Sequence, residues 1–585
     1  MHLSWHLKEK LQHILAQESG TTIFAPGARN RFAFVYPNTY HVGMSNLGLH
    51  IIYQQINSRG DTACERVFLP EKKIEQEYVR TNTPLMSIEN QLPLYEFPLI
   101  GFALSFEMDY FNMLTILKLG KVTLLSSERS ADDPIIIAGG PCATFNPEPI
   151  ADFIDVFVIG EGEEVIHDLL TTYYNCKRQG MTREQLLLML ANIAGLYVPR
   201  FYQPVYNDNG SLQEMRLLTN VPKKIRRRWV ADLDQYQAHS VIVTSHTEFK
   251  NMFLIEVARG CGRHCRFCMA GYCFREPRVH SLANIEQAIL KAKKYRAKVG
   301  LMGAAISDYP EIDKLCTLIL DHGMGLSVAS LRADSLTQGL VDGLVKSGQK
   351  TITLAPEAGS IRMRRVINKT ITDEDIFNSV EMAIKAGIPN IRLYIMVGLP
   401  FEEQQDIEAI LSMADKIKAH MEKLGSKGKL TLSVNPFIPK PFTPFQWMPM
   451  APAADVEAKF KYLAAHFKIR KGMELLLEST KESYIQGVLA RGDRRLSPVL
   501  LEAHNNGGSK AFKKSMKSHS LQENFYLSGN RETDELLPWQ HLDMAFHPDY
   551  LIHELDKAHQ EIFTLPCVKG CTRCGICQPI PKEEP

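Results

Sequence analysis

Seven of the twelve cysteines fall in two short segments, and thiolates at close spacing act first as ligands for soft metals. In GCGRHCRFCMAGY, Cys261, Cys265 and Cys268 form C-x3-C-x2-C, with the aromatic Phe267 directly before the last cysteine. Three such thiolates can ligate three irons of one cubane, which leaves the fourth iron open to an outside chelator. The competing reading is structural zinc, which normally wants four ligands and would have to recruit His264 from inside the loop. The tail LPCVKGCTRCGICQP places Cys567, Cys571, Cys574 and Cys577 as C-x3-C-x2-C-x2-C. That set completes either a second [4Fe-4S] cluster or a closed tetrahedral zinc site, and spacing leaves both open. Cys64, Cys142, Cys176, Cys273 and Cys316 are scattered and read as small buried apolar residues.

These ligands must be held by ordered elements. From about 31 to 200, apolar runs such as RFAFVYP, PLIGFALSF, PIIIAGG and DVFVIGEG alternate with helical segments, the pattern of a parallel α/β sheet with Gly-containing turns after several strands. A basic segment, VPKKIRRRW, then reads as connector with a solvated charge run. From about 246 the alternation restarts, with strands FLIEVA, VGLMGAA, LSVASL, TITLAPE, IRLYIMVGLP and LTLSVNPF separated by helical patterns. Six such units suit a partial (β/α) barrel, whose reactive groups sit at the C-terminal ends of the strands. The loop bearing Cys261 follows one such end. We therefore expect an α/β protein with a Rossmann-like domain over 1–210, a linker over 211–245, a barrel core over 246–445, a mostly helical region over 446–560 and a metal-binding tail over 561–585. The stretch NNGGSKAFKKSMKSHS (505–520) reads as a loop.

With 585 residues the chain exceeds a single core; 45% hydrophobic and 23% charged residues are ordinary for globular proteins. A formal net charge of +2 gives no general reason to expect nucleic acid or an anionic membrane. The N-terminal residues pattern as an amphipathic helix rather than a signal peptide, and no apolar run is long enough to span a bilayer, so a soluble cytoplasmic protein is expected.

Taken together, the 246–440 segment resembles the radical S-adenosylmethionine (SAM) superfamily. The resemblance implies a catalytic [4Fe-4S] cluster on Cys261, Cys265 and Cys268 with Phe267 beside it. It implies SAM on the open iron, reductive cleavage to a 5'-deoxyadenosyl radical, and a reductant such as flavodoxin or ferredoxin. LMGAAISD stands where the family's GGE-type motif meets the methionine moiety, which assigns Gly303, Ala304 and Ala305 there, although the usual Glu is absent. SLRADSL and LAPEAGS resemble the strand-end groups that hold ribose and carboxylate, which implies Ser330, Arg332 and Glu357. YIMVGLP is similar to the turn beside adenine, which implies Val397, Gly398 and Pro400.

The front segment has its own likeness. YPNTYHVGMSNLG, GFALSFEMDYFN, IIIAGGPCATFNPEP and FVIGEGEE resemble the cobalamin-binding-type domain of a subfamily of uncharacterised radical SAM proteins. That implies cobalamin contacts from Tyr40, Gly43, Ser45, Ser105, Gly139, Gly140, Gly160 and Gly162. The D-x-H-x-x-G signature of domains that supply a histidine to cobalt is absent, so cobalamin would bind without a protein axial ligand. The expected activity is cobalamin-dependent methylation of an unactivated carbon. The alternatives are radical SAM chemistry without cobalamin, as in methylthiotransferases or rearrangements, or a non-catalytic iron–sulfur sensor that binds SAM. VNPFIPKPFTPFQWMPM is similar to methylthiotransferases, but the front segment lacks their three closely grouped cysteines.

Overall fold

The computed structural model describes residues 3–249, 252–295, 298–529, 531–568 and 570–577. They form two compact units, one of Met1–Met252, Val488–Glu523 and Asp534–Met544, the other of Phe253–Gly487, Asn524–Thr533 and Ala545–Pro585.

The first unit is built on strands β1 (Asn30–Tyr36), β2 (Thr62–Phe68), β3 (Leu99–Ala103), β4 (Ile135–Gly139), β5 (Val156–Val158) and β6 (Leu196–Tyr197). Their spatial order is β2-β1-β3-β4-β5-β6. β1 to β5 run parallel and β6 antiparallel. Interior parallel strands are covered on both faces and need near-continuous apolar side chains, which FAFVY and IIIA provide. The order 2-1-3-4-5 is a doubly wound arrangement whose switch point, and hence its ligand crevice, lies between β1 and β3. β2 brings charge into this core, and each charged group is hydrogen-bonded. Arg66 is held between Glu18 and Glu89, both at 2.7 Å, while Glu65 accepts from Ser87 at 2.5 Å and Asn90 at 2.8 Å.

Two expectations for this unit are corrected. Residues 211–245 are not a free linker: Ile225–Arg226 pairs with Leu542–Asp543, Arg227 is buried, and Arg228 bridges Glu164 and Asp168 at 3.1 Å each. The 505–520 stretch is not a loop either, because Phe512–Ser518 is helical. Its Phe512, Ser515 and Met516 form a buried i, i+3, i+4 stripe between exposed lysines, and the Phe512 ring meets Phe111 edge to face at 5.8 Å.

The second unit carries β7 (Met252–Glu256), β8 (Lys298–Met302), β9 (Leu326–Ser327), β10 (Thr351–Glu357), β11 (Asn390–Val397), β12 (Leu430–Pro436) and β13 (Met473–Leu477). β7 to β9 form one sheet and β10 to β13 another, joined by a parallel bridge between Leu331 and Leu354. Helices Leu282–Lys293, Ile312–Asp321, Gln338–Lys346, Asp373–Ala386 and Gln404–Lys423 fill the intervals. These are the six expected βα units, with β13 added beside β12 in parallel register. Local chemistry sets the helix limits: Ser281, Thr337 and Thr372 accept backbone N–H groups at the N-termini, and Gly387 at φ 102° closes the Asp373–Ala386 helix. β10 and β11 alternate buried with half-buried residues, as strands do when one face packs under helices and the other lines a barrel interior.

Residues 446–560 are mostly helical as expected, with Ala453–Lys468 and Tyr550–His559 in the second unit and Leu496–Asn505 in the first. Among the described residues no helix is long and apolar enough to cross a membrane.

Candidate active site and cysteine centres

The loop that carries the first cysteines is pinched at its base, where Ala258–Arg259 pairs antiparallel with Arg278–Val279. Gly260, at φ 78°, lies against the Phe274 carbonyl so tightly that a Cβ has no room; only glycine tolerates both conditions. Within the loop Cys265 is buried and Cys261 and Cys268 are half-buried. Burial first, then the neighbouring Cys265 and Cys261, push the Cys268 thiol up to about 12. A metal must therefore displace a tightly held proton on binding.

His264 does not join these cysteines. Arg275 donates to its Nδ1 at 2.7 Å and the Tyr550 hydroxyl contacts the same nitrogen, which commits that nitrogen as an acceptor. Among the described residues no three His, Cys, Asp or Glu side chains stand close enough to hold a single ion. Thiolates serving a cubane bind different irons and stand farther apart than the ligands of one zinc.

The strand ends that follow supply a charged collar. Arg332 is fixed by Asp334 at 2.9 and 2.8 Å and stands near enough to Cys265 to be influenced by it. Glu357, at φ 66° on a register shift between β10 and β11, pairs with Lys369 at 3.3 Å. Lys369 in turn acts on Cys268. Thus the cysteines, Arg332, Glu357 and Lys369 are brought together. Gly303 and Ala304 are exposed and Ala305 and Ser330 half-buried at the ends of β8 and β9. A Cβ on Gly303 would come within 3.0 Å of the Ala258 carbonyl, so this glycine seats its turn against the strand that feeds the cysteine loop. Phe267 is half-buried within that loop. Of the β11 turn, Gly398 is already engaged, its N–H donating to Glu402 at 2.9 Å, and the Val397 carbonyl accepts from Phe437 N–H. Pro400 is buried.

Three interior groups escaped the sequence reading. Lys369 lies between motifs, and Arg392 on β11 and Asn435 on β12 each keep a buried polar atom without a hydrogen-bond partner. The signal was present, because Arg392 alternates with the apolar Ile391, Leu393 and Ile395 and must share the interior face with Tyr394 and Met396.

In the first unit the expected cofactor residues lie at the C-terminal ends of the parallel strands, but several glycines there serve chain packing. A Cβ on Gly140 would sit 2.8 Å from the Leu104 carbonyl, one on Gly162 2.8 Å from Ile52, one on Gly43 against Phe68, and one on Gly160 against the Arg228 carbonyl. Gly139 alone of this set has ordinary space around it, 3.6 Å from Val158. Ser105 accepts from Asn46 at 3.5 Å across the β1/β3 switch point. Ser45 accepts from the Glu248 N–H at 2.9 Å. Tyr40 donates to Glu18 at 2.6 Å and, with His41, Phe68, Tyr78, Met86 and His246, lines a cavity of about 630 Å³ beneath helix Trp5–Ala16. His41 pairs with Glu248 at 3.3 Å.

In the tail, Cys567 lies close to Cys571, and Cys567 and Cys574 lie close to Cys577. The five scattered cysteines are all buried.

A half-open barrel whose cysteine loop lies at a strand end beside a charged collar defines a class, and comparisons agree. Residues 48–199 match the family described as radical SAM proteins, N-terminal, and residues 255–414 the radical SAM superfamily. The chain is 30% identical over 472 residues to "Uncharacterized protein MJ0966" of Methanocaldococcus jannaschii, covering 80% of this chain and 90% of that one. It is 24% identical over 306 residues to "Uncharacterized methyltransferase PH0819" of Pyrococcus horikoshii, where it spans 49% of this chain and 59% of the relative. A solved structure of the radical SAM methyltransferase TsrM from Kitasatospora setae, with cobalamin and a [4Fe-4S] cluster bound, aligns at a TM-score of 0.47 and 14% identity over 73% of this chain and 80% of that one; at that score the likeness does not bear on what this chain binds. The chain belongs to the radical SAM superfamily, in one family with the M. jannaschii protein. It is a radical SAM enzyme whose cofactors are a [4Fe-4S] cluster and SAM.

Proposed function

We propose that Cys261, Cys265 and Cys268 hold the cluster at which SAM is reductively cleaved, and that the enzyme methylates an unactivated carbon with cobalamin as a further cofactor. The cluster, when bound, supplies the electron that opens the sulfonium to a 5'-deoxyadenosyl radical. The chain's own part is positional. Arg332 and Lys369 offset the negative charge of a thiolate-bound cluster, Glu357 offers a carboxylate toward the ribose or amino group of SAM, and the strand-end turn Gly303–Ala305 presents backbone to the methionine moiety. Arg392 and Asn435, with unspent hydrogen-bonding capacity inside the barrel, are suited to grip a polar substrate.

The observation that carries the cobalamin reading is the doubly wound sheet with Ser45, Ser105 and Gly139 at or beside its switch point, where such sheets bind large ligands. The polar hydroxyls and the accessible Gly139 backbone fit a nucleotide-tailed cofactor. His41 is paired with Glu248, so the reading is of cobalamin held without His41 as an axial ligand. Cobalamin would contribute the transferable methyl group. A flavodoxin- or ferredoxin-class protein in the cytoplasm would supply the electron.

Oxygen-free reconstitution with SAM and a low-potential reductant tests this reading, with 5'-deoxyadenosine, iron, sulfide and corrinoid measured together. We expect 5'-deoxyadenosine and retained corrinoid from the native chain, and loss of 5'-deoxyadenosine in Cys265→Ala. SAM bound without cleavage would make the chain a sensor; cleavage without corrinoid would leave it a radical enzyme of another outcome.

A further inference from the structure

We propose that the substrate of this enzyme is a carboxylic acid whose carboxylate is held deep in the barrel by Arg392, with its reacting end toward the strand ends. The inference deepens, and rests on, the reading of this barrel as a radical SAM reaction chamber.

Position comes first. Along β11, Arg392, Tyr394 and Met396 share the half-buried face, while Ile391, Leu393, Ile395 and Val397 are buried. Parallel register fixes what stands beside each of them on the same face. Arg392 is level with Thr353 on β10 and with Thr431 on β12, Tyr394 with Ser433, and Met396 with Asn435. The lumen is therefore layered: a cation flanked by hydroxyls at the bottom, a ring in the middle, and a thioether beside an amide at the top. Ile395 is the register partner of Glu357, so Arg392 stands three residues, or about 10 Å, below the charged collar. At that depth the guanidinium is set for a molecule other than a SAM held at the strand ends.

Charge comes second. Arg392 makes no ion pair or hydrogen bond among the described residues, and its Nε is buried. Glu474 is level with Thr431 on β13, but it lies two strands from Arg392, roughly 10 Å away, and accepts from the Thr431 hydroxyl at 3.3 Å. The cations of the collar are already matched, Lys369 by Glu357 and Arg332 by Asp334. A lone guanidinium inside a barrel works against folding unless a ligand completes it. Asn435, in the top layer, likewise keeps a buried side-chain oxygen without a donor.

These groups define a ligand class. The planar fork of an arginine matches the two oxygens of a carboxylate, and the neighbouring Thr353 hydroxyl, unbonded among the described residues, can donate to the same oxygens. One unmatched cation balances one carboxylate, whereas a phosphate monoester carries about −1.5 to −2 and would stay partly uncompensated. Tyr394, one layer up, suits an apolar or aromatic body. The free oxygen of Asn435 then calls for an N–H or O–H donor nearer the reacting end.

Benzoate, benzamide and phenyl phosphate test this on the full-length chain, reconstituted with iron and sulfide without oxygen, with and without SAM. The reporter is the Met396 methyl group in a chain labelled with carbon-13 at its methionine methyls, its resonance assigned from Met396→Leu. We expect benzoate to shift that resonance saturably whether or not SAM is present. Benzamide should bind at least about tenfold more weakly, and phenyl phosphate more weakly than benzoate. Arg392→Gln should lose at least about tenfold in benzoate affinity, and Arg392→Lys should lose less. The melting temperature of Arg392→Gln apoprotein should equal or exceed the native value, because an unmatched interior charge has been removed; a clear fall would make the guanidinium a structural group and overturn the proposal. It is also overturned by an unmoved Met396 resonance, by equal affinity for benzoate and benzamide, by native benzoate affinity in Arg392→Gln, by displacement of benzoate on adding SAM, or by tighter binding of phenyl phosphate. Failure of the radical SAM reading looks different, because benzoate would still bind through Arg392 while the native chain formed no 5'-deoxyadenosine.

Discussion

Arg494 donates to both carboxylate oxygens of Glu148, at 3.0 and 3.1 Å, and thereby ties a residue late in the chain to one beneath the first sheet. Tyr197 donates to the same carboxylate at 2.5 Å. Burial pushes the Glu148 carboxyl up, but Arg494, His541 and Tyr197 together outweigh it and hold the group below its ordinary range. Removing one partner of such a buried pair strands the other, so Arg494→Ala should cost about 3–5 kcal/mol of unfolding free energy. Chemical denaturation of apoprotein measures it; a loss under about 1 kcal/mol would show the pair to be hydrated.

The front-domain glycines can be sorted by substitution. Gly160→Ala places a Cβ against the Arg228 carbonyl at φ 103° and should destabilise the cofactor-free chain by about 3 kcal/mol. Gly139→Ala has space and should change stability by less than about 1 kcal/mol. Any loss of corrinoid retention in Gly139→Ala then reports cofactor contact, and its absence removes Gly139 from the site.

His50 predicts how stability follows pH. Burial lowers its pKa from 6.5 to about 4; Nε2 contacts the Met44 carbonyl and Nδ1 accepts from Val241 N–H, so the folded ring is neutral. A depressed folded pKa means the unfolded chain binds the proton first. The contribution, about 3 kcal/mol, is complete above about pH 6.5 and is lost as pH falls through about 4. His541, lowered to about 4 by the same cause, adds in the same window. His50→Gln should flatten the fall in melting temperature between those limits; an unaltered slope would acquit this histidine.

Glu357 is the strand-end carboxylate most directly tied to the collar. With Glu357→Gln, SAM affinity measured by anaerobic equilibrium dialysis should weaken about tenfold, or about 1.4 kcal/mol, at unchanged iron content. Native affinity in this variant would leave the Glu357–Lys369 pair a purely structural one.

How much of this could be read from sequence depended on whether a signal was local. The six barrel strands and their helices stand out because apolar runs and capping residues such as Thr372 and Gly387 are neighbours in the chain. β13 was missed because MELLL is short, lies between charged segments, and leaves Leu476 and Leu477 exposed. The cysteine spacings announced metal chemistry, whereas nothing near Gly262 or Cys567 says that they touch. Glycines were legible as special positions but not for their reason, since the carbonyls that crowd Gly140 and Gly160 come from Leu104 and Arg228. The Phe512 helix was obscured by its lysines, which occupy only its wet side.

The interrupted make-up of the first unit has a bearing on biosynthesis. Helix Asp109–Leu119 is covered by Leu496–Asn505, which leaves the ribosome only after the intervening barrel has been made. At ordinary rates of translation that is a wait of roughly 20–80 s. Throughout it the early sheet displays an uncovered greasy flank to the cell, so newborn chains of this enzyme are expected to lean on a holding chaperone.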